Sequence, residues 1–190
     1  WESWTWPGQE GKNLEVEVYS KYPKVRLYLN DKLIGEKETR LSQEFKATFA
    51  IPYASGKLRT VGVENNKEVE SVLLQTAQKP TKIKLTADRK EIAADGQDLS
   101  YITVEITDDK GILNPNAANQ LKFNVSGPGV IVGVDNANLK DTDLYAADTR
   151  KAWKGKALLI VKSTRGVGEI SVEVTSPNLV KGRIKIKSIK

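Results

Sequence analysis

Ala94-Asp95-Gly96-Gln97-Asp98-Leu99-Ser100-Tyr101-Ile102-Thr103-Val104-Glu105-Ile106-Thr107-Asp108-Asp109-Lys110-Gly111 is the stretch on which the fold turns. Ile102, Val104 and Ile106 fall on one side of an extended chain, and Tyr101, Thr103, Glu105 and Thr107 on the other. This period of two marks a strand with one buried face. Asp95-Gly96 before it and Asp109-Lys110-Gly111 after it are turn signals, because Asp and Gly accept the backbone angles of tight turns. One strand cannot bury its apolar face alone, so further strands must cover it.

Working outward, strands are expected on both sides. Leu14–Tyr19, Val25–Leu29, Leu33–Glu36, Phe45–Ile51, Leu58–Val63 and Val69–Leu74 come before, with Phe45, Ala47, Phe49 and Ile51 on one face. Asn30-Asp31-Lys32 and Asn65-Asn66 read as hairpin turns. Ile83–Ala87, Leu121–Val125, Val130–Val134, Ala157–Lys162, Glu169–Val174 and Arg183–Lys187 complete the second set. The polar segment Thr76-Ala77-Gln78-Lys79-Pro80-Thr81 separates the two sets. The reading is all-β, with two tandem sandwiches over residues 1–80 and 81–190. No helical period of useful length occurs, and Asn114–Asn119 and Asn138–Trp153 remain unassigned. A connection as long as the second is uncommon unless it is functional or structured in itself.

The chain has no Cys, no His and no Met. Cys nucleophiles, His general bases and Cys/His zinc sites are therefore excluded. Its opening on Trp1 without a Met reads as a piece of a larger polypeptide. No apolar run approaches the roughly 20 residues of a membrane-spanning helix, and no membrane partner is expected. The net charge is +6, and the last ten residues hold five Lys or Arg and no acid. A basic tail of this kind could contact nucleic acid. The spacing favours a terminal strand instead, with Ile184 and Ile186 inward and Arg183, Lys185 and Lys187 in water, where Lys discourages edge-to-edge pairing. No nucleic-acid partner is expected.

Two further constellations stand out. Trp1, Trp4 and Trp6 open the chain, with Trp4 and Trp6 on one face of an extended segment. They are candidates for stacking on a sugar or for docking on a neighbouring domain, since indole suits both. Carboxylates gather in Asp108-Asp109 and at Asp135, Asp141, Asp143 and Asp148. Their spacing fits no EF-hand calcium loop and selects no glycosidase pair. They read as solvated turn residues, and neither a metal nor any other cofactor is expected.

Trp4-Thr5-Trp6-Pro7-Gly8-Gln9-Glu10-Gly11-Lys12 and Val25-Arg26-Leu27-Tyr28-Leu29-Asn30-Asp31-Lys32-Leu33-Ile34-Gly35 resemble the domain that follows the catalytic barrel in bacterial β-galactosidases of glycoside hydrolase family 2. Asp31 stands where the family usually has Gly. The second half resembles the C-terminal immunoglobulin-like domain of the same enzymes, through Ala94–Tyr101, Gly133-Val134-Asp135-Asn136 and Arg150-Lys151-Ala152-Trp153-Lys154-Gly155-Lys156-Ala157. Ala137 follows Asn136 where Gly is usual. The resemblance implies two immunoglobulin-like β-sandwiches, accessory to an upstream barrel of the same polypeptide, in a periplasmic or secreted bacterial parent. The family's catalytic glutamates lie in that barrel, so no catalytic residue carries over to this chain. A carbohydrate-binding module and a surface adhesin repeat are the alternative roles, with carbohydrate as the partner of the first.

Overall fold

The computed structural model describes residues 2–190; its regular structure is almost all strand, in two compact units that divide between Thr76 and Ala77. Trp1 lies outside the described residues. In the first unit, β1 (Asn13–Tyr19) pairs with β4 (Lys46–Pro52) as a two-stranded sheet. β3 (Lys32–Glu38), β2 (Lys24–Leu29), β5 (Lys57–Glu64) and β6 (Lys67–Gln75) form a four-stranded antiparallel sheet in that order. The two sheets close on Trp4, Val25, Leu27, Ala47, Phe49, Ile51, Tyr53 and Leu58, all buried. The hairpins β2–β3 and β5–β6 turn on Asn30-Asp31 and Asn65-Asn66, and all four residues have positive φ. Two consecutive left-handed residues are what a two-residue turn needs to match the strand twist, and Asn and Asp tolerate them. Asp31 thus serves where a Gly would.

Phe45 departs from the expected pattern. A short 3₁₀ turn, Leu41–Gln43, precedes β4, and both Glu44 and Phe45 then have positive φ. This reversal breaks the alternation just ahead of the strand. Ala47, Phe49 and Ile51 are buried, but Phe45 is half exposed.

The second unit is a fuller sandwich. One sheet orders β11 (Gly129–Asp135), β13 (Lys156–Ser163), β9 (Leu99–Thr107) and β7 (Lys82–Ala87). The other orders β12 (Thr149–Lys151), β10 (Gln120–Ser126), β14 (Gly168–Thr175), β15 (Gly182–Ile189) and β8 (Glu91–Ala93). The three-residue strands β8 and β12 are too short to show a period in sequence, which is why they were not expected there. β8 runs parallel to β15, while the other named strand pairs are antiparallel.

β9 is the inner strand that the rest surrounds. Ile102, Val104 and Ile106 have no exposed surface. Val104 is flanked in register by Leu85 and Ala157, and Ile102 by Ala87 and Leu159. The opposite sheet supplies Leu121, Phe123, Ile170, Val172, Val174 and Ile186 to the same core. Thr107, expected on the outer face, is buried. The segment that enters the unit lies along the end of β9, where Thr81 donates its N–H to the Thr107 carbonyl. β15 follows the expected pattern: Ile186 is buried, Ile184 packs partly against the core, and Arg183, Lys185 and Lys187 are exposed.

Val104→Asp would leave a carboxylate without a partner in this core, and should cost more than about 3 kcal/mol of unfolding free energy. Urea unfolding followed by circular dichroism measures it. A midpoint equal to that of the parent would show that the inner face of β9 is misassigned.

Candidate functional site

The aromatic opening separates on folding. Trp4 is a core residue. Its ring meets Tyr53 edge-to-face with centroids 5.0 Å apart, and its Nε1–H donates to the Ala54 carbonyl at 3.0 Å. The Trp4 carbonyl accepts the Thr76 hydroxyl at 2.6 Å. The indole is 2% exposed, so no sugar or neighbouring domain can stack on it in this fold. The expectation that Trp4 and Trp6 share a face is therefore corrected: the Tyr53 pocket takes one ring inward. Trp6 is 39% exposed. Its backbone N–H donates to the Tyr53 hydroxyl at 3.1 Å and its Nε1–H to the Ser3 carbonyl at 3.1 Å. Tyr53 thus fixes the segment, and the Trp6 side chain stays partly exposed.

The acidic residues also separate. Asp108 is buried, contrary to its reading as a solvated turn residue. Its carboxylate accepts backbone N–H groups from Gln78 at 2.9 Å, Lys110 at 3.0 Å and Ile112 at 2.9 Å. One side chain thereby ties the entering segment, the end of β9 and the following turn together. Burial pushes its pKa up, but the three donors outweigh burial and hold it below the ordinary aspartate value. Asp95 and Asp98 order the turn ahead of β9. Asp95 accepts the N–H groups of Gln97 and Asp98, and Asp98 accepts that of Ala93 and the guanidinium of Arg89.

The long connection before β12 is organised by a residue that sequence reasoning passed over. Arg150 is 1% exposed. Its guanidinium donates to the carbonyls of Val134 at 2.9 Å, Leu144 at 2.8 Å and Asp143 at 3.2 Å, and pairs with Asp141 at 3.2 Å. Asn136 donates to Asp141 and to the Lys151 carbonyl. Asp141 is held below the ordinary aspartate range, first by the Asp143 N–H and then by Asn136 and Arg150, against burial. The arrangement is a planar donor fork satisfying two loop carbonyls, of Asp143 and Leu144, and the Val134 carbonyl on the outer edge of β11. The available signal was a lone Arg in Thr149-Arg150-Lys151 facing four loop aspartates, which reads equally well as an exposed strand end.

Among the described residues, every carboxyl whose pKa is displaced is displaced downward: Glu17, Glu36, Glu68, Glu70, Asp95, Asp98, Asp108, Asp141 and Glu173. In each the dominant stabilising partner is a Lys, an Arg, a Tyr hydroxyl or a backbone N–H. These partners favour the charged form. No three Asp or Glu among the described residues converge as ligands for a metal ion.

Residues 83–185 match the model of the glycoside hydrolase family 2 C-terminal domain 5, and residues 11–70 that of a domain of unknown function, DUF4982. A β-galactosidase of Bacteroides ovatus is 34% identical over 97% of this chain, which spans 22% of that protein. A β-glucuronidase of Formosa agariphila is 26% identical over 97% of this chain and 19% of its own length. A crystal structure of a family 2 member from Bacteroides cellulosilyticus superposes over 100% of this chain and 24% of its own, with a TM-score of 0.95 and 40% identity. The chain thus spans about a fifth to a quarter of the length of these three proteins.

The Asp108 cluster carries a pH signature. Its folded pKa is depressed, so the stability it contributes is present above the unfolded carboxylate pKa of roughly 4 and is lost as pH falls through the lower folded value. Asp108→Asn keeps one accepting oxygen but sets an NH2 group against at least one of the three N–H donors, and should cost about 1–3 kcal/mol at neutral pH. Urea titrations across pH should show this deficit narrowing below about pH 4. A deficit independent of pH would contradict a charged Asp108.

Proposed function

Since this chain belongs to glycoside hydrolase family 2, as part of its C-terminal region, we propose that it is a non-catalytic accessory to the glycoside-hydrolysing barrel of a larger polypeptide. The observation that carries the reading is that residues 83–185 match a family 2 C-terminal domain while the chain spans only 22–24% of the glycosidases cited above. A retaining glycosidase needs two carboxyl groups about 5–5.5 Å apart, one of them kept protonated near neutrality by a sheltered, poorly hydrated cleft. Here the displaced carboxyls are pulled the opposite way. The two sandwich interiors are filled by Leu27, Phe49 and Ile51 in one unit and by Ile102, Phe123 and Leu159 in the other. What remains for such a body is to pack on a catalytic domain and shape its surroundings. The parent's substrate would be a β-galactoside or a β-glucuronide, the two classes named among its relatives. Trp1 and Trp6 are the docking candidates.

The exposed indole of Trp6 supports a second reading, in which this end of the first unit contacts carbohydrate. Among the described residues no second ring stacks beside it, and docking is the use of it favoured here.

The purified chain, assayed with chromogenic β-galactoside and β-glucuronide beside the full-length enzyme, should show no turnover. Turnover that follows the purified chain and disappears on changing one of its own Asp or Glu residues would overturn the proposal.

A further inference from the structure

The sandwich of the first unit is unequal: two strands face four. β4 lies over the β3 side, with Phe49 against Gly35 and the Lys37 ammonium reaching the Thr48 carbonyl at 2.6 Å. β1 therefore lies toward β5 and β6, and nothing in the two-stranded sheet extends beyond it. Val72 of β6 occupies the same in-register row as the buried Leu27 and the half-buried Thr60, so its side chain points to the inner face. It is nevertheless 60% exposed. A groove of about 260 Å³ runs there, between the end of β1 (Val18, Tyr19) and β5–β6 (Thr60, Gly62, Glu70, Val72). The Tyr22 ring fills the space where a Cβ of Gly62 would stand and closes one end. Glu70, held by Tyr22 and Lys21, sits at that end.

The strand beside the groove is also unfinished. Ser20 donates its N–H to the Phe45 carbonyl, in register with the β1–β4 ladder. Antiparallel ladders bond alternate residues, so Leu14, Val16 and Val18 face β4 with their backbone groups. Glu15, Glu17 and Tyr19 turn theirs to the other edge, where no strand among the described residues pairs. Leu14, Val16 and Val18 are themselves only half buried. Backbone donors and acceptors, half-covered apolar rows on both sides and a groove of side-chain size coincide in one slot.

We propose that this slot receives an extended segment from the part of the glycoside hydrolase chain that lies outside these 190 residues, added as a third strand beside β1 and over Val72. The inference rests on reading the chain as an accessory of a larger enzyme. Strand addition uses the free main-chain groups for affinity and the groove for side-chain selection. The segment would place apolar residues inward against Val18 and Val72, and basic residues outward beside Glu15 and Glu17. Glu17 is already paired with Lys46, which leaves Glu15 as the stronger attractor. The same charges oppose a second copy: β1 against β1 about a two-fold at Val16 would set Glu15 opposite Glu17 twice, and like charges directly opposite destabilise a ladder. The relatives are four to five times as long as this chain, as their matched shares of 19–24% require. A segment tethered in the same polypeptide meets the slot at high effective concentration, and covering it removes an edge that would otherwise promote aggregation.

Amide hydrogen exchange at Glu15, Glu17 and Tyr19 tests this in the 190-residue chain and in the full-length enzyme. The three amides should exchange rapidly in the short chain and about 100-fold or more slowly in the full-length protein. Val72→Lys, at a position already exposed, should leave the melting temperature of the short chain unchanged and restore rapid exchange in the full-length protein. Equal exchange in the two proteins would overturn the proposal. So would protection in the short chain that rises with its concentration, because a second copy would then fill the slot. Neither result bears on whether the chain is catalytic, which the glycoside assay reads separately.

Discussion

The interaction on which the second unit depends is the closure of Ile102, Val104 and Ile106 against Phe123, Val172 and Ile186 across the sandwich. Neither sheet can leave its apolar face in water, and four strands over five leave little of either face uncovered. Burial at about 25 cal/mol per Å² makes this face-to-face contact the dominant favourable term. The polar devices at the rim follow from it. Asp108 secures the entering chain at the end of β9, Asp95 and Asp98 shape the turn that starts the strand, and Arg150 satisfies the carbonyls of a long loop that could not otherwise lie against the core. The first unit meets the same requirement with fewer strands, and Val72 and the free edge of β1 record the shortfall.

These rim devices also bear on function. A carboxyl that accepts two or three N–H groups, or that faces an Arg, is stabilised as the anion and cannot serve as a general acid near neutral pH. Many of the acidic residues of this chain are engaged in turns and surface pairing: Glu173 with Arg183 and Lys181, Glu36 with Arg26 and Lys24, Glu68 with Tyr28. That pattern suits a body whose task is to hold its shape beside another domain.

The strand inventory was legible because a half-buried strand writes its two faces into alternate residues, as in Ile102-Thr103-Val104-Glu105-Ile106 and Leu14-Glu15-Val16-Glu17-Val18. Where the outcome depended on what lies opposite, the sequence was silent. Phe45 continues the alternation of β4 on paper, but two left-handed residues turn it outward. Asp108 looks like any turn aspartate until three backbone N–H groups converge on it. β8 and β12 owe their pairing to neighbours distant in sequence. Trp4 and Trp6 are equivalent in composition and spacing, and only the position of Tyr53 separates the core ring from the exposed one. Arg150 carried no local mark of burial, because a buried guanidinium is made tolerable by carbonyls contributed from a loop with no period of its own.

The central claim is that this chain supports a catalytic domain by packing and performs no chemistry. Thermal inactivation of the full-length enzyme with and without residues 1–190, followed with both a galactoside and a glucuronide, tests it most directly. The account expects the truncated enzyme to lose activity markedly faster on heating, with its galactoside-to-glucuronide preference unchanged wherever it remains folded. An unchanged inactivation rate accompanied by altered substrate preference would contradict it.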